Sequence, residues 1–410
     1  MKIVHIITRM ILGGAQENTL LTCEGLHKRG HEVILITGPA MGPEGQLMDR
    51  AHRGGYQVIE LKQMRRAINP VRDIICYRQL KKILAQLRPD IVHTHSAKAG
   101  ILGRWAAAAI RDKAADTCCR RVEKLRREQF ACGGLPRIIH TIHGLAFHPF
   151  QSGLLNRFYI SVEKAAARRT DAFISVAQAM TEQTLAVGIG RPEQFTKVFS
   201  GLETKYFLER PSADKIAALR REYDIPAEAV VITTVARLFE LKGHKYIIES
   251  AKEIARKHKN VIWLFIGDGK LREPLEQVIS ELGLQDRFRF TGLIAPELIG
   301  ELLHTGDILV HCSLREGLAR AIPQALLSGK PVVSFDVDGA REVVLNDRTG
   351  YLIRPKDVSA LSAALEKLIA DPELRRQLGE TGRELCSREF DHKTMTDRIE
   401  LVYKQFGGNG

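Results

Sequence analysis

Residues 308–335 read ILVHCSLREGLARAIPQALLSGKPVVSF, and this stretch decides the fold. Ile308, Leu309 and Val310 form a continuous apolar run of the kind buried on both faces of a parallel sheet. A polar loop from Ser313 to Ala319 follows, then a short helix, then a second apolar run at Val332 and Val333. Pro323 is tolerated in the first helical turn, where its missing N–H would have no intrahelical partner. Gly329 followed by Pro331 stops the helix. Strand, loop, helix and strand make half of a parallel α/β unit, whose loop lies at the carboxyl edge of the sheet, where such folds bind ligands. Glu316 stands in that loop as an acceptor-only group. Behind it, the helix N-terminus offers unpaired N–H groups and the positive end of a dipole, which suit a phosphate. A carboxylate for hydroxyls beside an anion pocket points to a sugar joined to a phosphate.

Upstream, the same rhythm gives strands at Val230–Val235, Val261–Ile266 and Arg287–Phe290. The loop after the first of these is ARLFELKG, in which Arg237 leaves the strand end and Lys242 follows beside Gly243. Two cations in the layer of Glu316 would neutralise a diphosphate, each charge-assisted contact being worth about 1.5–3 kcal/mol. Two more carboxyl-edge loops, GDG (Gly267 to Gly269) and FTGLI (Phe290 to Ile294, with Gly292 and Leu293), are placed to line a nucleotide. Downstream, Glu384–Phe390 and His392–Phe406 read as helices broken near Asp391, the last crossing back to the first half of the chain.

That first half has its own series of buried strands: Ile3–Ile7, Val33–Thr37, Val58–Leu61, Ile91–His95, Ile138–Ile142, Ala172–Val176 and Thr196–Phe199. Helical patterns such as Glu17–Arg29 and Asp73–Leu87 separate them. The first crossing, TRMILGGAQ, places Gly13 and Gly14 at the turn, where glycine lets backbone approach a phosphate or simply makes the turn tight. His143 and Gly144 come directly after a strand, so His143 faces the ligand edge; His93, His95 and His148 are similarly placed. From Arg111 to Pro136 an insertion breaks the rhythm, with Cys118, Val122, Leu125 and Gln129 along one helical side and Arg120, Arg121, Lys124 and Arg127 mostly elsewhere. It reads as a solvated excursion or as a weakly amphipathic membrane contact. GLETKYFLERPSA, from Gly201 to Ala213, reads as the connection between domains.

At 410 residues the chain fits two domains, taken as 1–205 and 206–390. No apolar run approaches the roughly 18 residues of a membrane helix. Arg9 interrupts the apolar N-terminus and no small-residue cleavage site follows, so the expected location is the cytoplasm. The seven cysteines include no CxxC pair, and Cys118, Cys119 and Cys132 with His140 match no zinc spacing. A net charge of +13 without nucleic-acid motifs suits an anionic substrate or a peripheral contact with the inner face of an anionic membrane. No GxGxxG with a downstream acidic partner follows the first strand, which argues against a dinucleotide oxidoreductase.

Taken together, GGAQ near the start, HTHSAKAGILGR (His93 to Arg104), HTIHG (His140 to Gly144), RLFELKG (Arg237 to Gly243), GDGKLREPLE and SLREGLARAIPQALLSGKPVV resemble the retaining GT-B glycosyltransferases of family 4. The resemblance covers nearly the whole chain, and its last motif is the most specific. It implies an α/β GT-B architecture: two facing Rossmann-like domains across a deep cleft, the second holding the nucleotide-sugar, the first the acceptor, and a C-terminal helix packed back on the first. By position it implies that Arg237 and Lys242 hold the donor diphosphate and that Glu316 accepts from donor-sugar hydroxyls with backbone help from Gly317, Leu318 and Ala319. His143 would sit near the donor sugar, and Gly13–Gly14 would approach the phosphates.

One departure is chemical. The family pattern has a second glutamate that holds the nucleotide ribose, and here that position is Gln324, whose neutral carbonyl accepts more weakly by about 1 kcal/mol. The expected reaction is transfer from a nucleoside-diphosphate-sugar, UDP-sugar favoured, to a hydroxyl of a glycan or lipid-linked acceptor, with retention. Asp336-Val337-Asp338 spells DxD but lacks the context of a metal motif, so no catalytic metal or other cofactor is expected. Alternatives are an epimerase or phosphorylase on the same plan, or a weakly active or inactive nucleotide-sugar-binding subunit.

Overall fold

The computed structural model describes residues 1–41, 45–124 and 135–406, with backbone alone over 114–124. It divides into two compact units, Met1–Gly201 with the chain from His392 onward, and Leu202–Asp391. Each unit is a parallel sheet with helices on both faces, as the unbroken apolar strands require.

The first sheet contains β1 (Lys2–Ile7), β2 (Glu32–Thr37), β3 (Gln57–Glu60), β4 (Ile91–His95), β5 (Arg137–Ile142), β6 (Ala172–Ser175) and β7 (Phe195–Lys197) in the order β3-β2-β1-β4-β5-β6-β7. Ile3, Ile7, Ile91 and Ile139 face the helices Gly14–Lys28 and His392–Lys404. Val4, Ile6, Val92 and Ile138 face Pro70–Leu87 and Ala97–Lys124. The C-terminal helix is part of this core: Met395, Ile399, Val402 and Tyr403 are buried, and Arg29 pairs with Glu400 at 2.8 Å.

The second sheet repeats the plan with β8 (Val230–Val235), β9 (Val261–Ile266), β10 (Phe288–Phe290), β11 (Ile308–His311), β12 (Val332–Phe335) and β13 (Gly350–Ile353). Its order, β10-β9-β8-β11-β12-β13, reverses direction beside β8 and β11, the switch point at which such sheets bind ligands.

Three expectations change. Residues 201–213 are not a loose connection, because the helix Lys205–Leu208 buries Phe207 and packs on the helices Ile299–Thr305 and Ala321–Leu327 of the second unit. A Cβ at Gly300 would stand 1.8 Å from the Tyr206 carbonyl oxygen, so the contact needs glycine, and the divide falls after Gly201 rather than after 205. The helix read over Glu384–Phe390 begins at Pro372, where Asp371 caps it by accepting from the Leu374 N–H at 2.9 Å. Strand β13 escaped the sequence because its apolar core is only Tyr351-Leu352-Ile353. The helix Ala97–Lys124 runs into the insertion; the proposed facing of Cys118, Val122, Leu125 and Gln129, and the Cys118, Cys119 and Cys132 group, lie outside the described residues and side chains.

Candidate active site

In the second unit, the loops after β8 and β11 are tied together. Gly243 adopts φ +75°, and a Cβ there would lie 1.9 Å from the Cys312 carbonyl oxygen, so only glycine permits the approach. The Leu314 N–H donates to the Leu241 carbonyl at 2.8 Å, and the Ser313 hydroxyl donates to the same oxygen at 3.0 Å. This brings the Lys242 ammonium onto Glu316 Oε1. His311, the last residue of β11, places Nε2 3.6 Å from that oxygen. Burial alone would raise the Glu316 carboxyl, but the Lys242 charge, aided by His311, more than reverses this and holds it well below the usual carboxylate range.

The Glu316 loop is held from behind. Asp338 Oδ2 accepts from the Glu316 N–H at 2.8 Å, and the Gly339 N–H donates to the Gly317 carbonyl at 2.9 Å. Asp336 meets the Arg341 guanidinium with both oxygens at 3.0 Å. Both carboxylates of the DxD sequence are thus engaged within the loop.

Arg237 is exposed just beyond β8, its guanidinium stacked over the Phe239 ring at 4.9 Å. Gly267, after β9, bridges to Gly292, after β10, and a Cβ at Gly267 would stand 2.3 Å from the Ala236 carbonyl oxygen. These loops therefore line one edge with Arg237, and Leu293 stands exposed beside Gly292. Leu318 and Ala319 are buried, as is Gln324 on the helix Ala321–Leu327. That helix has only seven residues. The longer helix His244–Lys257 starts in the same layer immediately after Lys242, and sequence reasoning passed over it. Its first residue, His244, is buried with neither ring nitrogen hydrogen-bonded, and burial, with His311 and Lys242 nearby, pushes it down to about 4. His311 was also missed, although its place at a strand end was a signal, and Asp338 was noted only as part of the DxD sequence, without its role in holding the Glu316 loop.

In the first unit, Gly13 is extended at φ 173°, so its conformation does not demand glycine; with Gly14 it opens the helix Gly14–Lys28. His143 lies one residue past β5, with Nε2 3.1 Å from His95 Nδ1. His95 Nε2 is in turn 3.0 Å from Nδ1 of His5, a residue the sequence did not single out. His93 is held between the Tyr403 hydroxyl and the Thr141 hydroxyl, the latter at 2.6 Å. His148 is elsewhere, its backbone N–H donating to Asn156 Oδ1 at 3.0 Å, and His140 faces Thr94 at 2.9 Å. Ring nitrogens of His5, His93 and His95 lie within 4.8 Å of one another, a spacing that admits a metal ion, yet these contacts already use both nitrogens of His93 and of His95.

Two family patterns match the chain, "Glycosyl transferase 4-like domain" over residues 13–196 and "Glycosyl transferases group 1" over 215–385. The first falls wholly inside the first unit and the second inside the second. The chain belongs to the GT-B glycosyltransferases of the family 4 type. This glycosyltransferase is 25% identical over 98% of its length to the UDP-Gal:alpha-D-GlcNAc-diphosphoundecaprenol alpha-1,3-galactosyltransferase of Escherichia coli, covering 96% of that relative. It is 23% identical over 85% of its length to the capsular polysaccharide biosynthesis glycosyltransferase CapM of Staphylococcus aureus, covering 87% of it. The crystal structure of Anabaena HepE in complex with UDP-glucose shares the fold, with a TM-score of 0.80 at 21% identity over 99% of this chain and 100% of that one.

Proposed function

We propose that this glycosyltransferase moves a sugar from a UDP-sugar to a hydroxyl of a glycan or lipid-linked acceptor in cell-surface polysaccharide synthesis, with retention at the anomeric carbon. The observation that carries the reading is the convergence of Lys242, Glu316 and the Arg237 loop on the carboxyl edge of one sheet. Lys242 and Arg237 meet the charge that develops on the departing diphosphate. Glu316, kept ionised, accepts from donor-sugar hydroxyls, and Gln324 accepts from the ribose. His143 is assigned as a hydrogen-bond donor to the substrate. With Asp338 holding the Glu316 loop and no other carboxylate beside Glu316 among the described residues to serve a hydrolase-like relay, same-face attack assisted by the leaving phosphate is the route this set of residues serves. Asp338 and Asp336 act as loop braces, so the chemistry is assigned to side-chain cations rather than to a divalent ion.

A peripheral membrane position fits the first unit. Leu154 and Phe158 project from the helix Gly153–Ala167 and Val71 and Ile74 from Pro70–Leu87, all more than half exposed. A surface pocket of about 570 Å³, lined by Tyr77, Trp105, Arg168 and Arg169 among others, joins the two helices. Exposed apolar anchors and surface guanidinium groups on the same unit suit an anionic bilayer. Among the described residues no helix is long and apolar enough to cross a membrane.

A thermal-shift screen against UDP, GDP, ADP and their sugars, followed by a transfer assay, tests the proposal. A ligand at a hundred times its Kd adds about 2.7 kcal/mol of stability. UDP is expected to give the largest shift, and absence of any nucleotide shift removes the proposal. Binding without transfer or hydrolysis of any common donor favours the binding-subunit reading that Gln324 motivates. Donor consumption without an acceptor favours an epimerase.

A further inference from the structure

The histidines of the first sheet form a chain that the transfer chemistry above does not explain. Parallel pairing sets His5 of β1 opposite His93 of β4, and the two-residue period of a strand sends His95 to the same face. His5, His93 and His95 are fully buried. His5 and His95 stack with ring planes 19° apart, and His95 and His143 with planes 27° apart. Two nitrogen–nitrogen hydrogen bonds, at 3.0 and 3.1 Å, run without interruption from His5 through His95 to His143.

Burial pushes His5 down to about 3, and burial reinforced by the neighbouring rings lowers His95 well below its ordinary value, so both rings are neutral at neutral pH. A neutral imidazole has one donor and one acceptor, so the sense of one contact dictates the next. His5 Nε2 ends the chain, buried and without a hydrogen-bond partner. If it carries the proton, the protein holds an orphaned buried N–H, the rarer kind of defect. If it keeps only its lone pair, His5 donates from Nδ1 to His95, His95 donates from Nδ1 to His143, and His143 is left protonated at Nδ1.

We infer that His5 and His95 are positioning residues that lock His143 as the Nδ1–H tautomer, making it a hydrogen-bond donor to substrate. This rests on the role given to His143 above. The lock requires no metal, because in each contact the N–H of one ring meets the lone pair of the next, which leaves that lone pair engaged by a proton rather than offered to an ion.

Nitrogen-15 NMR of the histidine rings in the full chain tests the lock directly, alongside sugar-transfer kinetics. Wild type is expected to show His143 protonated at Nδ1. His95→Phe should release it to the Nε2–H form and lower kcat about tenfold, with donor KM within about twofold. His95→Asn, whose amide keeps a donor near the Nδ1 position, should restore both readouts. His5→Phe removes the buried end of the chain and supplies the same test if His95→Phe does not fold. An Nε2–H His143 in wild type, unchanged kcat in a folded His95→Phe, or stoichiometric bound zinc lost in His5→Phe would each overturn the inference. If wild type transfers no sugar, the functional proposal fails by itself, and the NMR spectrum still decides the tautomer.

Discussion

Lys242 and Glu316 are each other's charge partner: the ammonium of one rests on Oε1 of the other across 74 residues of sequence. Replacing Glu316 with Gln leaves the lysine facing a neutral group and should lower kcat/KM for sugar transfer by at least about tenfold. The pair also sets a pH dependence. The folded carboxyl titrates below its ordinary 4.5, so the folded state stays ionised where the unfolded chain has taken up a proton. The stabilisation is therefore complete above about pH 4.5 and drains away as pH falls further. Urea unfolding of wild type and Glu316→Gln should show a constant gap from pH 7 to 5 that narrows below. A gap that widens on acidification would contradict the assignment.

Arg237 is exposed and stacked on Phe239, so its loss should cost chemistry rather than folding. Arg237→Ala is expected to lower kcat at least about tenfold while leaving stability within about 0.5 kcal/mol. Arg237→Lys keeps the charge but not the planar fork, and should recover only part of the rate. Steady-state kinetics at saturating donor provide the measurement; wild-type turnover in the alanine variant refutes the role.

Gly243 couples the two loops that bring Lys242 to Glu316. Gly243→Ala forces a side chain into a left-handed conformation and against the Cys312 carbonyl. Strain and overpacking together should destabilise the protein by about 2–5 kcal/mol. Chemical denaturation reads this, and an unchanged midpoint would mean that the loops are not packed as described.

Gln324 is buried on a short helix. Gln324→Glu supplies the charged acceptor of the family pattern and should tighten nucleotide binding about fivefold, equivalent to about 1 kcal/mol. Burying the extra carboxylate should lower the melting temperature without ligand. Calorimetric titration with UDP and a ligand-free melt separate the two effects.

The double variant Leu154→Ser with Phe158→Ser removes two exposed apolar anchors. Flotation with vesicles rich in phosphatidylglycerol should fall several-fold, while transfer to a water-soluble acceptor stays unchanged. Equal flotation by both proteins would dismiss this surface as the membrane contact.

Much of this architecture is written in the chain. Unbroken Val/Ile runs marked every long strand, and Ile91–His95, Val230–Val235 and Val261–Ile266 agree with the structure to the residue. Short strands were harder, because β7, β10 and β13 owe their extent to pairing with neighbours rather than to an apolar run of their own. The site motifs were legible as loops after strands, which is why Arg237, Lys242 and Glu316 stood out. What the sequence withheld is which polar groups meet. Nothing local in HTH or MKIVHII shows that His5 touches His95, because that contact depends on the parallel register of β1 and β4. Likewise the sequence sets Asp338 aside as a loop residue, and only the structure shows its carboxylate accepting the Glu316 N–H.

The helix His392–Lys404 supplies Met395, Ile399 and Tyr403 to the core of the first unit. During translation, residues 1–201 leave the ribosome with the seat of that helix open, while Leu202–Asp391 emerges with every strand of its own sheet. The unit made second can therefore mature first. A transcript that stops short of Tyr403 also removes the hydroxyl that holds His93, so a small C-terminal deletion injures the half of the protein encoded farthest from it.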